Sequence, residues 1–273
     1  MTYATNDLKT HADAWEQSVR SLKDLVSTLT EGRWSSATEC PGWSVRDIVS
    51  HVIGIELELL GEPRPIHTLP RDLRHVHDEF SRYTEIPVDV RRCHTSPEMT
   101  GELEYVILRR RRMLDENDRG PDDEVRGIMG RSVPYRFLLT QRVFDVWVHE
   151  QDVRRAIGEP GNLDSPAALI TRDFLLTGLA RVVAKDAKAP AGASVVFDVH
   201  GPVEFMRTVT VDEGGRGRLD GRVPLGPLVL ISTDWETFVR LMCGRVAPGR
   251  AEARVEGDPD LARRILANMA VTP

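Results

Sequence analysis

The segment Val143-Phe144-Asp145-Val146-Trp147-Val148-His149 places a carboxylate and an imidazole four residues apart. On a helix this spacing puts both on one face, within reach of a single ion. Valine, phenylalanine and tryptophan fill the positions around them, so this turn belongs inside a fold rather than on its surface. A carboxylate there needs an ion or a hydrogen-bonding partner, because an unpaired buried charge is very costly. The pair therefore admits two readings. It binds a metal, or Gln141, Asp145, His149 and Asp152 form a polar stripe that faces water or pairs with arginines such as Arg142. His51, flanked by Val49 and Val52, likewise reads as a hydrogen-bonded core histidine or as a third ligand. Taken together, His51, Asp145 and His149 offer three ligands, with water or substrate completing the shell. That is the ligand count of a catalytic divalent site with an open position, and its donors suit zinc or another ion that favours imidazole.

Sulfur gives no competing metal site. Cys40, Cys93 and Cys243 are far apart and form no CxxC pair, which argues against a disulfide framework and against thiolate zinc. Cys40, beside Pro41-Gly42, is either a reactive thiol or a small apolar residue under a turn.

Helical patterns carry the candidate residues. Residues 7–31 read as one amphipathic helix, with Leu8, Ala12, Trp15, Val19, Leu22, Leu25 and Val26 near a 3.6-residue period. After a turn at Cys40-Pro41-Gly42, Ser44 caps a second helix with Asp47 three residues on. That helix carries His51 and runs to Gly61, where Glu62-Pro63-Arg64-Pro65 breaks it. A less regular stretch holds His67, His75, His77 and His94. A third helix is expected over about 97–117, a loop from Asn117 to Glu124, and a fourth helix from Tyr135 to Ile157, stopped by Gly158 and Pro160. Four long helices imply an up-down bundle over residues 1–160. The run Arg109-Arg110-Arg111-Arg112 reads as a solvated helix face.

From residue 161 to 273 the pattern changes. A helix near 165–185 is followed by β-rich runs at Ser194–His200, Val203–Val211, Leu228–Ser232 and Ala251–Val255. Helices are expected at 234–239 and 259–269, which makes a small α+β domain. His200 reads as a strand-end turn residue.

The chain has 273 residues, long enough for two domains and a sizeable core. Its net charge of −6, from 36 basic and 42 acidic residues, gives no reason to expect nucleic acid. No apolar run approaches the ~20 residues of a membrane span, and Met1 to Asp7 lack signal-peptide character. A cytoplasmic monomer or homodimer, without membrane partners, is the expectation. Only four of the basic residues are lysine, as a GC-rich genome would produce.

Thr38-Glu39-Cys40-Pro41-Gly42-Trp43-Ser44-Val45-Arg46-Asp47-Ile48-Val49-Ser50-His51 resembles a signature of the mycothiol-dependent maleylpyruvate isomerase family, one of the DinB-like metal-binding bundles. The segment from Asp145 to Gly158 resembles its second signature. Ser232-Thr233-Asp234-Trp235 and Val255 to Ala262 resemble the sterol-carrier-like domain that commonly follows. The resemblance implies a DinB-like four-helix bundle, a sterol-carrier-like α+β domain that closes over it, and metal ligands at His51, Asp145 and His149. The characterised isomerase pattern has glutamate where this chain has Asp145, one methylene shorter. The resemblance also implies mycothiol as cosubstrate, activated as a metal-bound thiolate that attacks a small electrophile. Addition to an alkene, rotation and elimination would give an isomerase; release of the conjugate would give an S-transferase. Arginine bias fits an actinobacterial source. Asp152 would orient His149 or form a surface salt bridge, and Arg82 would hold an anionic substrate. The rival readings are a metal-dependent hydrolase that uses no thiol, a small-ligand-binding protein, and a stress protein without catalysis.

Overall fold

The computed structural model describes residues 7–272; the reading of the first residues as free of a signal segment falls mainly outside that range. The chain divides into two compact units, Met1–Gly161 and Asn162–Pro273.

The first unit is built on helices. Helix α1 spans Leu8–Ser27, with Asp7 as its cap, and buries Trp15, Val19, Leu22 and Val26 along one stripe. The first helix expected from the sequence is split: after Ser27 the chain turns and resumes in the short α2, Glu31–Trp34. Helix α3, Val45–Leu59, starts at a capping box in which Ser44 and Asp47 satisfy each other's backbone amides. Helix α5, Ser96–Asp115, and helix α6, Tyr135–Ile157, follow the expected bounds within two residues. Gly158 ends α6 in the left-handed conformation that glycine adopts without a Cβ clash. Helix α1 packs on α5 and α6, and α3 on α5 and α6.

Two elements depart from expectation. Helix α4, Glu79–Asp89, occupies the stretch that looked irregular, capped by Asp78 and Ser81, and packs on α3. The loop before α6 contains a small antiparallel hairpin, β1 (Glu124–Arg126) with β2 (Ser132–Pro134). The arginine run is also not a uniformly wet face, since Arg110 is buried.

The second unit opens with α7, Pro166–Arg181, and holds a five-stranded mixed sheet in the order β5-β4-β3-β6-β7. Strands β3 (Ser194–His200) and β6 (Val229–Asp234) run parallel at its centre. Antiparallel β4 (Phe205–Val211), β5 (Gly217–Asp220) and β7 (Ala253–Gly257) complete it. Helix α7 covers β4 and β5; α8 (Trp235–Met242) covers β3 and β6; α9 (Pro259–Ala267) covers β6 and β7. This is the expected helical bundle followed by an α+β domain. Among the described residues no helix is long and apolar enough to cross a membrane.

Candidate metal centre

Helices α3 and α6 bring His51, Asp145 and His149 together. One ligand atom from each lies within 4.8 Å of those of the other two. His51 Nε2 stands 3.5 Å from Asp145 Oδ1 and 3.4 Å from Oδ2, and His149 Nε2 stands 3.7 Å from Oδ1. These separations exceed those of good hydrogen bonds. Ligands about 2.0–2.1 Å from a tetrahedral ion sit about 3.3–3.4 Å from one another. The distances from Asp145 to the two imidazoles are long for hydrogen bonds and close to that ligand spacing.

The surroundings favour the same reading. His51 is buried, and its Nδ1 has no hydrogen-bond partner. An imidazole with one nitrogen unpartnered and the other at long range is poorly satisfied in an interior, and a cation would complete it. Burial foremost pushes His51 below its ordinary value of 6.5 despite Asp145 nearby, so its lone pair is free at neutral pH. Burial works most strongly against the charge of Asp145, but the Arg142 guanidinium together with His51 and His149 holds the carboxyl well below the usual range. Side-chain exposure is 6% at His51 and 8% at His149 but 25% at Asp145, so solvent reaches the cluster on the carboxylate side.

The polar stripe on α6 is half-buried at Gln141 and Asp145 and buried at His149 and Asp152. Asp152 is fully buried and accepts from His149 Nδ1 at 3.1 Å, from Cys40 Sγ at 3.1 Å and from Arg155 Nη2 at 2.7 Å. The surface-salt-bridge reading is therefore corrected. A hydrogen bond at Nδ1 fixes the tautomer and leaves Nε2 facing the cluster, the arrangement found behind metal-ligating histidines. Cys40 is neither a bare thiol nor an apolar filler; it is a hydrogen-bond donor to the same carboxylate.

Trp43 forms the aromatic wall, its ring centroid 5.1 Å from that of His51 and 6.1 Å from that of His149. Its Nε1 donates to Glu85 Oε2 at 2.8 Å, and Glu85 also pairs with His75 at 2.8 Å and Arg92 at 2.6 Å. Gly42 lets the wall close, because a Cβ there would lie 2.2 Å from His75 Nδ1 and its φ is +79°. Beneath the cluster, Glu56 is fully buried and accepts from Trp15 Nε1 at 3.0 Å, Arg110 Nε at 2.8 Å and Arg142 Nε at 2.8 Å. Arg82 is exposed on α4 and makes none of these contacts.

Sequence reasoning passed over Glu56 and Glu85, took Arg110 for part of a solvated face, quoted Trp43 only within the family signature and gave Arg142 only as a partner for the polar stripe. One available signal was Glu56 itself, a carboxylate in the apolar run Val52-Ile53-Gly54-Ile55-Glu56-Leu57.

The mycothiol maleylpyruvate isomerase N-terminal domain matches residues 15–154, and the C-terminal domain of the same family matches residues 170–264. The crystal structure of the mycothiol-dependent maleylpyruvate isomerase superposes with a TM-score of 0.58 at 15% identity, covering 92% of this chain and 93% of that one. A histidine-to-alanine mutant of that enzyme gives 0.54 at 17% identity, covering 88% and 90%. The sterol carrier protein 2 like 2 of Aedes aegypti, 18% identical, covers 36% of this chain and 96% of its own at a TM-score of 0.29. No curated protein sequence shows significant similarity.

Proposed function

We propose a function from the premise that this chain belongs to the mycothiol maleylpyruvate isomerase family: it is a metal-dependent enzyme with mycothiol as cosubstrate and a small electrophile as substrate. The single observation that carries the metal dependence is the convergence of His51, Asp145 and His149 near ligand spacing, with both imidazoles buried. A divalent ion such as Zn²⁺, when bound, would lower the pKa of a thiol from about 8.5, so that thiolate predominates at neutral pH.

The protein's own groups supply the rest. His51 and His149 would each present Nε2, and Asp145 supplies one negative charge. Asp152 keeps the His149 proton on Nδ1. Trp43 excludes water from one side and offers a flat apolar face to the electrophile. The thiol, having lost its proton, would bond through sulfur to an activated carbon. Either a conjugated C=C π bond opens and its electron pair moves into the adjoining carbonyl, or a leaving group departs with the bonding pair. Elimination after rotation returns the thiol and an isomerised product; loss of a leaving group instead gives an S-conjugate. Arg82 is the residue assigned to an anionic substrate, by its charge and exposure alone.

The test is turnover of maleylpyruvate and other conjugated electrophiles, with and without mycothiol, on protein of measured metal content. Stoichiometric metal and mycothiol-dependent turnover are expected. Metal-dependent turnover that ignores mycothiol would establish a hydrolase. Absence of metal, with unchanged properties in His51→Ala and His149→Ala, would leave a ligand-binding protein.

A further inference from the structure

We infer that Arg142 is a positioning residue that restricts Asp145 to one ligating oxygen; this rests on the metal-dependent reading above. Arg142 precedes Asp145 by three residues on α6, so the two side chains share a face. Its Nη1 donates to Asp145 Oδ2 at 2.9 Å while its Nε donates to Glu56 Oε1 at 2.8 Å. The guanidinium is 1% exposed and Glu56 is fully buried. Arg142 therefore cannot swing toward water without leaving Glu56 short of a counter-charge in the interior, where such a loss is costly.

The consequence falls on the carboxylate. Oδ2 spends a lone pair on the guanidinium. His51 Nε2 does not separate the two oxygens, at 3.5 Å from Oδ1 and 3.4 Å from Oδ2. The oxygen paired with His149 Nε2, at 3.7 Å, is Oδ1, the one that Arg142 leaves free. A carboxylate embraces a cation with both oxygens only when both point at it. Pinned in this way, Asp145 donates through Oδ1 alone, and the coordination position that Oδ2 would take stays open for an incoming thiol. Glu56 completes the device from α3, five residues beyond His51, so the strut joins the two helices that carry the ligands. Lysine could not replace Arg142, because a single ammonium lacks the planar fork that serves two carboxylates at once.

The test is the visible spectrum of the cobalt(II)-substituted full chain, whose d–d bands weaken as coordination number rises. In Arg142→Met the carboxylate is freed to bind through both oxygens, and the band intensity is expected to fall by about twofold. Arg142→Lys, which keeps a cation beside Glu56, covers the case in which the methionine variant fails to fold; its band is expected to fall in the same direction. A variant spectrum indistinguishable from that of the unaltered protein would overturn the inference alone. Failure of the unaltered protein to take up cobalt or zinc would overturn it together with the metal-dependent reading.

Discussion

Each candidate ligand owes its behaviour to its surroundings. His149 is oriented by Asp152, Asp145 is charged because of Arg142, and His51 is kept neutral by burial. Asp152→Asn exchanges the acceptor at His149 Nδ1 for an amide and should weaken zinc binding about 10–100-fold, as read by competition with a chromophoric chelator. His51→Ala and His149→Ala should each abolish stoichiometric binding, measured as metal per chain after gel filtration. Acid should act on the same groups. Burial holds His51 below its ordinary value of 6.5, so a proton competes with the ion there only in more acid solution. Zinc affinity should fall as pH drops below 6.5 through that lowered value, as read by the same chelator competition. At this scale the sequence was half legible. Asp145 and His149 stood out through their spacing and His51 through the family signature. The supporting residues did not, because a buried arginine and a surface arginine look alike until their partners are placed.

At the scale of elements, α4 shows where periodicity and local rules misled. Pro87 reads as a breaker, yet it sits inside the helix. The carbonyl it cannot serve, that of Tyr83, accepts from Arg64 Nη2 at 2.5 Å. Its ring fits because α3 has Gly54 opposite, where a Cβ would come within 2.2 Å of Pro87 Cβ. Gly54→Ala should therefore cost about 1–3 kcal/mol by overpacking, although alanine is the better helix former, and urea unfolding of the variant tests this. Neither compensation lies near Pro87 in sequence, which is why the helix was not legible. The caps were local and were read correctly at Ser44 and Gly158. The edge strand β5, Gly217-Arg218-Leu219-Asp220, was missed for another reason: it has too few apolar residues to show a two-residue alternation.

At the scale of the molecule, the two units should answer separately to metal. Each has its own core, so calorimetry should resolve two transitions, with zinc raising and a chelator lowering the one that belongs to the helical unit. Acid should reach that unit through Glu56. Burial opposes its charge, but Arg142 and Arg110 hold its carboxyl below the ordinary value of 4.5. Its contribution to stability is therefore complete above that value and is lost as pH falls from there through the lower folded value. Glu56→Gln should be less stable at pH 7 and should lose less between pH 5 and pH 3, as followed by thermal unfolding. The sequence revealed the two-part architecture because helical and strand periods occupy different halves of the chain.

His51 and Asp145 are 94 residues apart, joined through helices α4 and α5 and the β1–β2 hairpin. An ion shared between them is thus also a tether. It closes a loop whose entropy, fixed by a covalent link of similar span, is worth about 4–5 kcal/mol in the chain-entropy picture. On the metal-dependent reading, the ion would not be captured until α3 and α6 have docked, and once captured it would oppose their separation. Uptake of the ion would thereby report the last step of assembling the helical unit, and its loss the first step of taking that unit apart.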